Sequence, residues 1–313
     1  MSTPTPSGPL LSLTPYPLTH LPPSPEIAHP NDQPLPTPSP SAPSASSLLT
    51  SLLTEAVTLL SSAAPGDGHR SSWKQQRKPR HYPHSTAPVH LSSAPHNGAN
   101  WVCRRSTHRD AADRGTASWT EFEAAFKTEH TSHEQAFTPS LRGFDEIAWW
   151  KQEVKDVGLE VPHERWKGVS LDLLNIAHDL PRPLSIRSFP VLQGIAERVG
   201  VDADDGEFVV VTVPVDVKWD LWAGAVQGKY AAVERFRRVG AHVEWVMATA
   251  SRAGGVLPGW LQDLSVPGVV AKDVDLYLKW EAEQRESQAE YASASDMGES
   301  LDTDEANDPG APG

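Results

Sequence analysis

The stretch from His242 to Trp280, HVEWVMATASRAGGVLPGWLQDLSVPGVVAKDVDLYLKW, constrains the fold of this chain more than any other. Up to Ala250 apolar and polar residues alternate with the period of a half-buried strand. Beyond Pro258 the spacing becomes helical, with Trp260, Leu261, Leu264, Val270, Val274, Tyr277 and Leu278 on one side. Gly254 and Gly255 supply a hinge between the two, and Pro267-Gly268 predicts a bend in the helix. A last strand, a hinge and a long amphipathic helix can close a curled sheet and leave room for a ligand beneath.

The strands that such a sheet needs lie upstream. Residues Trp101–His108 alternate, with Trp101, Cys103, Arg105 and Thr107 on one face and Val102, Arg104, Ser106 and His108 on the other. Val169–Ala177, Glu207–Val217 and Lys229–Val239 read as strands, and the third of these four segments carries Val209, Val211, Val213, Val215 and Val217 on one face. Between the first two of these segments, Ser118 and Glu121 form a capping box for a helix whose stripe is Trp119, Phe122, Ala125 and Phe126. That helix is expected to end near Gln135. Residues 137–166 read as a strand or turn, a short polar helix over 146–157, and a loop. The proline-rich run from His178 to Leu192 reads as an irregular turn.

Composition separates this core from its flanks. Of 29 prolines, 14 fall between Pro4 and Pro43, in a Pro/Ser/Thr segment with too little apolar surface to offset chain entropy. Residues 1–45 are therefore expected to be a disordered arm, whose Thr-Pro and Ser-Pro steps also match proline-directed phosphorylation sites. From Glu281 to Gly313 ten acids face one base, −9 of the formal −13, so residues 283–313 are expected to be a disordered acidic tail. Over 46–61 leucines recur at helical spacing, a face for packing on the main domain or for meeting a membrane. The basic segment 70–98 carries Arg70, Lys74, Arg77, Lys78 and Arg80 and reads as a linker. With the Leu48–Leu60 helix it would form a patch over 48–80 able to dock on anionic membranes.

Function classes narrow further. One cysteine, Cys103, excludes an internal disulfide and a cysteine-based zinc site and suits a reducing, cytoplasmic setting. The first cationic side chain is Arg70, so the expectation is a soluble chain without a secretory signal. His130, His133 and Glu134 have the wrong spacing for a metal-binding helix and are expected to face solvent. No catalytic residues, metal ligands or cofactor are assigned, and no nucleic-acid partner is expected; a monomer is.

Several blocks resemble a fungal family, DUF3074, of the START-like (SRPBCC, helix-grip) superfamily. They are WVCRRSTH (Trp101–His108), AFTP (Ala136–Pro139), HDLPRPLSIRSFPVL (His178–Leu192), KYAAVER (Lys229–Arg235), VEWVMATASRAGGVLP (Val243–Pro258) and AKDVDLYLKW (Ala271–Trp280). They occur in the family's order and cover roughly residues 46–282, with 101–282 as the helix-grip core. Two features depart from the family's pattern: Ala231 stands where serine is usual, and Leu159–Lys167 is shorter than typical.

The resemblance implies an α+β fold, a curved antiparallel sheet wrapped around a long C-terminal helix, with an apolar tunnel between them. It implies binding, and transfer, of a lipid- or sterol-like molecule. A small-molecule enzyme of the same superfamily and an interaction scaffold are the alternatives. Arg104, His108 and Arg187 are the candidates for a ligand headgroup, Arg104 and Arg187 also for ion pairs with Glu234 or Glu244. Val211, Val213, Trp245, Met247, Trp260 and Leu264 are the candidates for the apolar lining.

Overall fold

The computed structural model describes residues 8–27, 35–64, 71–161, 164–180, 185–200, 205–217, 222–252 and 259–302, excepting the side chains of 259–266 and 292–302. The expected hinge at Gly254-Gly255 and the side chains of Trp260, Leu261 and Leu264 lie outside the described residues.

Thirteen strands are described. They are β1 (Tyr16–Pro17), β2 (Glu26–Ile27), β3 (Lys74–Gln75), β4 (His90–His96), β5 (Ala99–Arg109), β6 (Leu141–Trp149) and β7 (Gly158–Val161), then β8 (Glu164–His178), β9 (Arg187–Arg198), β10 (Glu207–Asp216), β11 (Val226–Gln227), β12 (Lys229–Val239) and β13 (His242–Arg252). The main path runs β2-β6-β8-β9-β10-β12-β13-β5-β4-β3, and its neighbours are antiparallel throughout. Five helices are described: α1 (Ala45–Ala63), α2 (Trp119–Phe126), α3 (His130–Phe137), α4 (Lys151–Val154) and α5 (Gly259–Asp302). This is the expected α+β architecture, a large antiparallel sheet with a long C-terminal helix.

Strand alternation divides the side chains between two faces. The outer face carries Val209, Val211, Val213, Val233, Val246 and Ala248, and these pack with the leucines of α1. Leu49, Leu52, Leu53 and Leu60 are fully buried there, each contributing roughly 1.5–3 kcal/mol. The approach is close: a Cβ on Gly194 would lie 2.6 Å from Leu49 Cδ1, so a larger residue there would displace that leucine methyl. The inner face carries Val102, Ile195, Phe208, Val210, Phe236, Val243 and Trp245, packed against α2, α3 and α5.

Several expectations need correction. Of the two readings of 46–61 the structure shows packing on the domain: the leucine face of α1 is buried against the sheet and is not presented to a membrane. The arm is not all unstructured, because four apolar side chains among its prolines, Leu10, Leu11, Tyr16 and Leu21, are buried in the outer core. Its backbone finds partners too. Leu10 and Leu11 donate to the Glu55 carboxylate, and the Trp150 indole donates to the carbonyls of Pro22 and Pro23. The linker contains strand β4, and the acidic tail continues α5 as far as Asp302.

The sequence pattern hides β9 and shows only the first part of β6. Pro190 resembles a strand breaker, yet it falls between the residues paired to β11 (Arg187, Ser188) and those paired to β10 (from Val191 on). A missing N–H is harmless there, on the side where β9 has no partner. Residues 146–149, expected as helix, complete β6, and only Lys151–Val154 is helical. The capping box of Ser118 and Glu121 is present. The helix it starts ends at Phe126, because Glu129 adopts a left-handed φ of 52° before α3 begins.

Candidate functional site

The inner face has two halves of different character. Toward one end Phe122, Phe126, Phe208, Phe236, Trp245 and Tyr277 form a continuous aromatic stack, with centroids such as Phe126–Phe236 and Phe208–Phe236 4.6 Å apart. These rings are fully buried and leave no space between α2, α5 and the sheet. At the other end Leu141, Leu174, Ile176 and Val191 make a separate small cluster with Phe144, Phe189 and Tyr230. Among the described residues the two apolar clusters do not join. Between them stand Glu134 of α3, Asp273 of α5, Tyr230 and Glu234 of β12 and Met247 of β13, all only partly buried.

Arg104 holds the boundary. Its register partner is Met247, whose other neighbour is Glu234. The guanidinium lies 3.8 Å from the centre of the Trp245 ring, and Nη2 is 3.5 Å from Glu234 Oε2. The Trp245 indole also donates to that oxygen, at 2.9 Å. Arg104 is 1% exposed, and its Nε and Nη1 have no partner among the described residues. A buried guanidinium with one long hydrogen bond is expensive unless something else supplies acceptors.

The carboxyls around it are perturbed in the direction of neutrality. Burial raises Glu134 to about 8, reinforced by Glu234 and Asp273. Burial raises Asp273 to about 7, against the pull of Arg104. Tyr230 is raised by burial and then by Glu134 and Glu234. Yet a third of the Glu134 side chain is accessible. A carboxyl hemmed in enough to resist ionisation but still a third accessible stands at the margin of the packed core rather than within it.

The expected site residues divide. Arg104 and Met247 lie together among these carboxyls, and Arg104 meets Glu234 as anticipated. Trp245 belongs to the aromatic stack, and its indole N–H reaches Glu234. His108 is core: Nε2 is 2.9 Å from Ser106 Oγ, the ring packs on Phe122, and burial followed by Arg104 lowers its pKa to about 4. Arg187 lies at the far end of β9, opposite His178, where it donates to the carbonyl of Ser185. Val211 and Val213 are on the outer face under α1, because alternation groups them without saying which face is which.

Glu244 meets Arg105, Arg235 and Arg237 on the outer face rather than Arg104. Cys103 is a buried outer-face residue whose thiol burial pushes up to about 12, which removes it as a nucleophile. His130 was expected in solvent and is buried, its pKa lowered by burial. Glu134 was missed with it. A signal existed: Phe122, Phe126, His130 and Glu134 recur every four residues, so the aromatic stripe of α2 points on toward Glu134.

Among the described residues no helix is long and apolar enough to cross a membrane. Residues 101–281 match the model of a family described as "Protein of unknown function (DUF3074)". No curated protein matches the sequence. Among solved structures the chain is similar to human StAR-related lipid transfer protein 5, with a TM-score of 0.51 and 13% identity over 77% of this chain and 99% of that one. It is also similar to human STARD10, with a TM-score of 0.50 and 10% identity over 76% and 82% of the two chains. At such identity the likeness is one of fold.

Proposed function

The chain belongs to the DUF3074 family, and from that membership, its START-like fold and the partly accessible polar groups around Arg104 we propose that it binds a hydrophobic small molecule with a compact polar head. The molecule is of the lipid or sterol class, and the protein carries it in a cytoplasmic setting. The observation that carries this reading is the break between the two inner-face clusters, bordered by partly accessible Glu134, Tyr230, Glu234, Met247 and Asp273.

In this reading Arg104 is the anchor. An oxygen on the ligand accepts from Nε or Nη1, the two nitrogens left without a partner among the described residues. Protonated Glu134 or Asp273 donates to the same head, which their raised pKa values permit near neutral pH. The apolar body lies along Met247 toward Phe144, Phe189 and Tyr230. Each buried methylene contributes roughly 0.8 kcal/mol, so a long chain or a fused ring system binds tightly on one polar anchor. The similarity to a protein named for lipid transfer supports the same class of cargo.

Extraction of the purified full chain with organic solvent, followed by mass spectrometry, tests the proposal. The expected result is a stoichiometric apolar molecule with a single polar head. No extracted molecule, together with no uptake of fluorescent sterol or acyl probes, would overturn it.

A further inference from the structure

On the outer face lies a cleft of about 440 Å³ whose lining includes Arg105, Thr107, Arg198, Arg237 and Glu244. It has no part in the ligand space, because strand alternation turns these side chains away from α5. The row is set by register: Thr107 lies beside Glu244, Glu244 beside Arg237, and Arg237 beside Glu207. Arg235 sits next to this row, only 9% of its side chain exposed.

The charges along it do not balance locally. Three guanidinium groups converge on one carboxylate, that of Glu244. Arg235 and Arg237 each donate from Nη2 to Oε1 at 3.1 Å, and Arg105 pairs with Oε2. Glu244 is 4% exposed and neutralises one of the three. Glu207 is 3.2 Å from Arg198 and stands near Arg235 and Arg237 as well, and Arg198 also bonds Glu164. Asp205 is on the rim and exposed, and Arg238 is paired with Asp110. Among the described residues Glu164 offsets Arg198, while Arg105, Arg235 and Arg237 share Glu244 and Glu207, so the surplus of positive charge sits at the Arg105–Arg237 end. The Nε groups of Arg235 and Arg237 are buried with no hydrogen-bond partner among the described residues.

Guanidinium forks are suited to tetrahedral oxyanions, which they bind with two parallel hydrogen bonds. The chain as a whole carries a formal charge of −13, so general attraction cannot bring a polyanion here and a local site must. We propose that the cleft between Arg105 and Arg237 is a binding site for a phosphate group, carried on a membrane lipid head or on a soluble polyphosphate. Thr107 is exposed at the cleft and adds a hydroxyl donor.

Two probes separate the sources: inositol hexakisphosphate in calorimetry, and phosphatidylcholine vesicles with and without phosphatidylinositol 4-phosphate in co-sedimentation. Wild type is expected to bind at least one of them, more weakly as salt rises. The double variant Arg105→Gln/Arg237→Gln should lose about tenfold in affinity. Thr107→Asp keeps every arginine and adds a carboxylate at an exposed position, so it should weaken binding while the fold stays intact. Arg142→Gln, half exposed beside Asp179 and remote from the cleft, should bind as wild type. Binding to the soluble probe alone assigns a free polyphosphate, and binding to the charged vesicles alone assigns a lipid head. Binding of neither probe, or unchanged binding by both cleft variants, overturns the proposal.

Discussion

The two faces of one sheet are built to opposite ends. The outer face meets α1 with Val209, Val211, Val213, Val233 and Ala248, and helix and sheet approach until Gly194 touches Leu49. The inner face is made by the alternate residues of the same strands, yet its two apolar clusters stay apart and ionisable groups occupy the interval. Small aliphatic residues against a leucine-rich helix leave nothing for a ligand to fill. A face that stops packing at Arg104 and turns to Glu134, Glu234 and Asp273 is not optimised for stability, since each such group costs desolvation. The contrast places stability on the outer face and in the aromatic stack, and the interval is where the proposed ligand head would sit.

Substitutions can break that division. The largest effect is expected in the aromatic stack, where Phe236 touches Phe126, Phe208 and Trp245. Phe236→Ala should lower unfolding free energy by about 3–5 kcal/mol in urea denaturation. Leu52→Ala, under α1, should cost about 2–4 kcal/mol and leave uptake of an acyl probe unchanged below its melting temperature. Altered uptake in Leu52→Ala would mean that the outer face also serves the ligand.

The interval should behave differently. Glu134 is raised to about 8 from the ordinary carboxylate range, so the folded state holds its proton more tightly than the unfolded state. The stability this contributes is complete below the unfolded value and is lost as pH rises through about 8. Glu134→Gln removes that dependence. Its advantage over wild type should grow between pH 5 and pH 9 to about 1–2 kcal/mol, reduced from the full linkage because a third of the side chain is accessible. Thermal melts across that range check the sign. The smallest stability effect is expected at half-buried Met247, where Met247→Ala should cost about 1 kcal/mol but change the affinity for the probe.

Much of this was legible in sequence. The final strand and helix stood out because Val243, Trp245, Val270, Val274, Tyr277 and Leu278 follow two clear periods, and all six are buried. The faces of β5 were read correctly, so Arg104 was separated from Cys103 and Arg105. What alternation cannot tell is which face meets which helix, and Val211 and Val213 were misassigned for that reason. Pro190 hid a central strand, because a proline's tolerance depends on partners that only the sheet reveals. Glu134 follows His130 and His133, a pair expected to face solvent near the end of the helix that Ser118 caps. Its burial follows from where α3 docks, which no local pattern encodes. The arginines around Glu244 are scattered from Arg105 to Arg237, and only the sheet register gathers them.

The most direct test of the central claim is a fluorescence titration of wild type and Met247→Trp with a long-chain acyl probe. Met247→Trp adds bulk beside Arg104 while leaving the outer face and the aromatic stack untouched. The account predicts saturable, stoichiometric uptake by wild type and a loss of at least about tenfold in affinity in the variant. Equal uptake by the two proteins, or none by either, would contradict it.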